Sequence, residues 1–175
     1  IQSTLQKAIE SLLGEKTNVT GASRTDSGVH ALGQVAVFDT DKNIPDWKYA
    51  LAINQRLPKD IVVQKSEEVP LDFHPRYTDV EKTYEYRIFN DEFPDPLCRL
   101  YTHFTYTKLD IDRMNAAAGY LIGEHDFKSF CLAVSAKDRN TVRTVHSITV
   151  EPYSALGERA LCVRVVGNAF LHSMI

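Results

Sequence analysis

Two β-rich runs, VRTVHSITVEPY (142–153) and ALCVRVVGNAF (160–170), are separated only by the six residues SALGER. Parallel strands need a crossover of about a dozen residues or more, so runs this close read as antiparallel neighbours. No other feature narrows the architecture as much. A third run, KTYEYRIFN (82–90), alternates with period two. Tyr84, Tyr86 and Ile88 share one face, and Glu85, Arg87 and Phe89 the other. Between these runs, DIDRMNAAAGYLIGEHDF predicts an amphipathic helix with Met114, Ala117, Ala118, Leu121 and Ile122 on its apolar side.

The first half has the same mixture in shorter pieces. Leu5, Ala8, Ile9, Leu12 and Leu13 predict a helix, with Ser3 as N-cap and Gly14 as its stop. NVTGAS and GQVAVFDT read as short strands. DWKYALAINQRL predicts a second helix through Trp47, Leu51 and Ile53, ended by Pro58, and DIVVQKSEEV a further strand. The run NAFLHSMI predicts the start of another helix, with His172 in its packing. The expected fold class is α+β: two lobes on mostly antiparallel sheet, 1–79 and 80–175, divided in the polar connection near residues 70–80. The chain opens on Ile1 and stops inside an apolar run, so both ends read as cuts through a longer protein.

Composition excludes several classes. No run of about 18 apolar residues is present, which removes a transmembrane helix. No succession of charged, apolar and small residues marks a secretion signal, so the expected compartment is the cytoplasm. Cys98, Cys131 and Cys162 are scattered without a Cys-x-x-Cys pair, and no His-x-x-x-His occurs; reduced thiols and no metal are expected. A net charge of −3 argues against binding duplex nucleic acid through many phosphates, and leaves room only for a local basic patch.

One gap is too long for a plain hairpin. TGASRTDSGVHALGQVAVFDT (20–40) places Arg24, Thr25, Asp26, Ser27, Gly28 and His30 between two β-rich stretches. Asp-Ser-Gly by itself is a turn signature. A cation, a carboxylate and an imidazole in one loop also suit chemistry, because a rigid scaffold carries its reactive groups on loops. On the residues alone, both readings stand.

The segment GASRTDSGVHALGQVAVF resembles the signature of the TruA family of tRNA pseudouridine synthases. INQRLPKDIVV, DFHPRY, KTYEYRIFN, GEHDFKSF, RTV and GNAFLHSMI resemble further family segments in family order. The resemblance implies the pseudouridine synthase fold, with a catalytic cleft between two α+β lobes. It implies an isomerase that detaches uracil from C1′ of a tRNA uridine, turns it and rejoins it through C5. It further implies action at nucleotides 38, 39 and 40 of the anticodon arm, as a homodimer, without metal or organic cofactor. Asp26 falls on the catalytic nucleophile and Arg24 on the arginine that fills the space of the flipped nucleotide. Tyr84 falls on the tyrosine that packs on the target base and takes part in proton removal. His30 would line the cleft. Two family features fall outside the sequence: a Tyr-Asp-Gly strand before the first helix and a basic residue beyond FLHxM. Lys137, Arg139 and Arg143 read as a solvated face from charge alone, and as tRNA backbone contacts under the resemblance. Tyr86 reads as core. Two rivals remain: a carboxylate glycosidase, with Asp72 or Asp126 as second carboxylate, and a non-catalytic RNA-binding module, against which the retained Asp26 argues.

Overall fold

The computed structural model describes residues 1–77, 81–137, 140–156 and 159–175. The chain divides into two compact units, Ile1–Thr78 and Asp79–Ile175. The fold is α+β, with one two-stranded and one five-stranded sheet among the described residues.

In the first unit, helix α1 (Gln2–Leu13) buries Ala8, Ile9 and Leu13. They pack with Val19 and with Tyr49 and Ile53 of helix α2 (Asp46–Asn54). Ile9 and Val19 are each 1% exposed, and burying a side chain of that size contributes about 1.5–3 kcal/mol. Gly14 ends α1 as its sequence suggests: at φ 73° its N–H reaches Glu10 O at 2.9 Å. The expected cap at Ser3 is corrected. The helix begins two residues earlier, Ile1 occupies the N-cap, and Gln2 Nε2 donates to Val19 O at 2.7 Å.

The face of α2 also differs from expectation. Tyr49, Ala50 and Ile53 are buried, whereas Trp47 and Leu51 are more than half exposed. Tyr49 decides the rotation. Its ring meets Phe38 edge-on at 5.7 Å, and its hydroxyl donates to Lys42 O at 3.0 Å. The helix stops at Asn54, before Pro58, and the Asn54 side chain then serves the following segment.

That segment, DIVVQKSEEV, is not a strand. Its backbone is tied to α2 by side chains instead of by a ladder. Val63 N–H donates to Asn54 Oδ1 and Asn54 Nδ2 donates to Val63 O, each at 2.8 Å. Ser66 Oγ accepts from Ala50 N–H at 2.8 Å and donates to Asp46 O at 2.6 Å. Those two groups are the i and i−4 partners of an α-helix, so the hydroxyl sits within the helical hydrogen-bond pattern. The other two expected strands shrink to two residues each. β1 (Thr20–Gly21) and β2 (Ala36–Val37) pair antiparallel, Thr20 opposite Val37 and Gly21 opposite Ala36.

The second unit holds β3 (Lys82–Asn90), β4 (His103–Thr105), β5 (Gly123–Asp126), β6 (Val142–Pro152) and β7 (Ala160–Gly167). Their order is β4-β3-β7-β6-β5. β6 and β7 form the expected antiparallel pair, and β3 pairs antiparallel with β7 from Lys82–Gly167 to Phe89–Ala160. β4 lies parallel to β3; at three residues it is too short to show a period in the sequence. One extra residue, His146, bulges β6 between Val145 and Ser147. Phe89, Cys98 and Ala160 are buried together, with Phe104 and Tyr153 packed on them. Cys98, Cys131 and Cys162 are free thiols.

Helix α3 (Ile111–Ala118) starts at Asp110, whose side chain accepts Arg113 N–H at 3.0 Å. The predicted helix runs further than the observed one. A 3₁₀ turn spans Gly119–Leu121, and Gly123 at φ 109° redirects the chain into β5. Ile122, expected on the helix face, is extended and 43% exposed. The short helix α4 (Ala133–Ala136) precedes β6. No helix forms in NAFLHSMI: His172 lies in a turn with Met174 N–H on Leu171 O at 3.1 Å and Ser173 at φ 63°. Among the described residues no helix is long and apolar enough to cross a membrane.

Candidate active-site residues

The loop between β1 and β2 carries Arg24, Asp26 and His30, all exposed. Its stem is narrow. Beyond the two ladder pairs, Ala22 N–H donates to Val35 O at 2.8 Å, and Gln34 Nε2 donates to Ser23 O. Asp26 opens a tight turn in which Val29 N–H reaches Asp26 O at 3.2 Å. Gly28 in that turn stands at φ 82°, and a Cβ there would meet nothing within 4 Å. Backbone conformation, not crowding, therefore selects glycine at that position.

A third support was not legible from spacing. Arg76, in the DFHPRY segment, donates from Nε to Gly21 O at 2.9 Å, across 55 residues. His74 Nδ1 accepts Arg76 N–H at 3.2 Å, and the His74 ring stacks on Tyr77 at 4.4 Å. The base of the Asp26 loop is thus held by a guanidinium as well as by its own strands.

In the second unit, Tyr84 is half-buried on β3 opposite Val165 of β7. Its ring meets Phe170 at 5.2 Å with the planes 86° apart. Tyr86, expected in the core, is instead 44% exposed, with its ring 6.1 Å from that of His103. The opposite face of β3 is an ionic ladder. Glu85 accepts from Arg87 at 2.8 Å and from its cross-strand partner Arg164 at 2.9 Å, while Arg87 lies over the Tyr153 ring at 4.6 Å. Glu85 raises the Arg87 pKa above its ordinary value, and burial raises that of the Cys162 thiol.

Lys137 is exposed at the end of α4, and Arg139 lies outside the described residues. Arg143 is half-buried on β6. Its Nη1 donates to Asn140 O at 3.0 Å and to Val142 O at 2.6 Å. Asp126, considered as a second carboxylate, is committed to the fold. It accepts the Thr141 hydroxyl at 2.5 Å and Lys128 N–H at 3.0 Å, and these two bonds hold its pKa below the ordinary carboxylate value. Asp72 is exposed in the first unit.

An α+β chain with an Arg-x-Asp loop and a tyrosine-bearing strand matches a family model described as tRNA pseudouridine synthase, over residues 1–78 and 117–175. A tRNA pseudouridine synthase A of Acetivibrio thermocellus is 42% identical over 175 residues, covering all of this chain and 70% of the relative. The synthase of the same name from Ruminiclostridium cellulolyticum is 43% identical with the same coverage. That of Thermoanaerobacter sp. strain X514 is 44% identical over 176 residues, again covering 100% of this chain and 70% of the relative. The chain belongs to the tRNA pseudouridine synthase family. Membership sets aside the glycosidase and the non-catalytic RNA-binding module.

Proposed function

We propose that this protein isomerises uridine to pseudouridine at nucleotides 38, 39 and 40 of the tRNA anticodon arm. In this reading it works in the cytoplasm as a homodimer, without metal or organic cofactor, and the division into lobes at residues 79/80 separates the Asp26 loop from the Tyr84 strand. The observation that carries the reading is the 42–43% identity to named tRNA pseudouridine synthases over all 175 residues of the chain.

The chemistry follows from what each residue can do. The N1–C1′ bond breaks, a C5–C1′ bond forms, C5 loses its proton and N1 gains one, so the net change is an isomerisation. Asp26 supplies the nucleophile, attacking either C1′ of the ribose or C6 of the uracil. The target must first leave its stack, at a cost of a few kcal/mol. Tyr84 recovers about 1–3 kcal/mol by stacking on the base. Arg24 fills the vacated position with a planar cation that can also bond phosphate. His30 lines the site, and Lys137, Arg139 and Arg143 contact the tRNA backbone.

The test is incubation of the complete protein with unmodified tRNA, followed by chemical mapping of pseudouridine. Product at nucleotides 38–40 is expected. Product elsewhere in tRNA would refute the position, and no product would refute the reading. Affinity should fall with salt at a slope set by a handful of phosphates, flattening when Lys137 and Arg139 are changed to Glu. An unchanged slope would remove that run from the interface.

A further inference from the structure

We infer that Phe170 is a positioning residue that holds the Tyr84 ring in its working orientation, and that Gly167 and Asn168 place Phe170 there. This rests on the role proposed for Tyr84. The two rings meet nearly perpendicular at 5.2 Å, an arrangement aromatic pairs favour. Both side chains are half-buried, so the contact fixes a ring that still reaches the surface.

The segment carrying Phe170 is clamped to β6. Asn168 N–H donates to Thr144 O, and Thr144 N–H donates to Asn168 Oδ1, each at 3.1 Å. Gly167 leaves the space that Phe170 uses. A Cβ at that position would stand 2.8 Å from Thr144 O and 3.0 Å from Phe170 Cζ, so any other residue would push the ring or the strand aside. Gly167 also pairs with Lys82 on one side and Val145 on the other, which anchors the brace in the middle of the sheet. A tyrosine that must accept a flipped base gains from such bracing, because ring freedom lost on binding is removed beforehand.

The experiment compares Phe170→Leu, Phe170→Tyr and Tyr84→Leu in the complete protein. It measures single-turnover rate, tRNA affinity and melting temperature. Phe170→Leu keeps an apolar side chain but loses the ring edge. Its rate should fall on the order of tenfold, with tRNA affinity within threefold and melting within a few degrees of the parent. Phe170→Tyr should restore the rate. Tyr84→Leu should lose more than Phe170→Leu. A parental rate in Phe170→Leu, with Tyr84→Leu impaired, would overturn the brace alone. A slow Phe170→Leu that Phe170→Tyr does not rescue, or whose melting collapses in step, would reduce Phe170 to a fold residue and overturn it as well. A fully active Tyr84→Leu would instead refute the role of Tyr84 itself.

Discussion

The two units hold their backbones in different ways. In the second, strands of nine, eleven and eight residues satisfy one another in a continuous ladder. Among the described residues of the first, regular pairing covers two residues per strand, and side chains from distant positions take over. Asn54 serves Val63, Ser66 serves α2, and Arg76 serves Gly21. Among the described residues the same device occurs in each unit. Asn115 of α3 brackets Val150 of β6, through N–H at 2.8 Å and C=O at 2.9 Å, as Asn54 brackets Val63. In the second unit the bracketed residue already pairs with Val163 across the sheet; in the first it lies in no strand. A ladder needs only a β pattern, whereas this alternative needs particular side chains at particular positions.

The largest effect should come from chemistry on the loop rather than from either scaffold. Asp26→Asn should lower the isomerisation rate by roughly 10³-fold or more, by analogy with loss of a nucleophile. Because Asp26 is exposed on its loop, tRNA affinity should stay within several-fold and melting should be unchanged. Single-turnover assay and calorimetry check both halves; near-parental turnover would remove Asp26 from the nucleophile role.

The paired asparagines then separate the two ways of holding a backbone. Val150 is 6% exposed, so Asn115→Ala strands its N–H and C=O in a buried place. A global loss of about 2–3 kcal/mol is expected in denaturant titration. Asn54→Ala acts on a half-buried residue that water can reach, and should cost about 1 kcal/mol. Equal losses would mean that the ladder around Val150 confers no distinction.

Arg76→Met tests whether loop support matters to rate. Loss of the bond to Gly21 should slow turnover about fivefold, the kinetic equivalent of roughly 1 kcal/mol, with little change in melting. Arg164→Met, which breaks ion pairs on the sheet, should leave the rate alone. The reverse pattern would place the functional sensitivity in the sheet.

The smallest effect concerns acid. The folded Asp126 pKa lies below its unfolded value of about 3.9. The group therefore contributes stability above that value and loses it as pH falls through the folded pKa. Thr141→Val removes the hydroxyl chiefly responsible, so its deficit should be present at neutral pH and vanish in acid. NMR titration of Asp126 should show the pKa rising in the variant; no rise would exclude the hydroxyl as the cause.

What the sequence reveals follows the same division. β3, β6 and β7 are long enough for period two to repeat, and α1 ends on a glycine whose conformation is local. β5 is hidden because an apolar helical period runs into it, and only the backbone at Gly123 shows the break. The strap at 60–69 alternates like a strand, but its partners are side chains, which a hydropathy pattern does not register. Likewise α2 has apolar residues on two faces, and only the Tyr49 contacts select one. In the candidate site, Arg24, Asp26 and His30 are visible as an unusual loop. The supports from Arg76, Gly167 and Phe170 join positions far apart in sequence, so no local pattern announces them.

The two hydrogen bonds of the Ser66 hydroxyl to α2 make the strap a reversible latch. When the strap lifts, Ala50 N–H and Asp46 C=O remain i and i−4 groups of the same helix, so α2 is left with no orphaned group. Release there costs less polar energy than opening a sheet strand would. The connection after Ser66 is therefore where a protease should gain its first foothold in the first unit, nicking the polar stretch ahead of Pro70 while α2 remains wound.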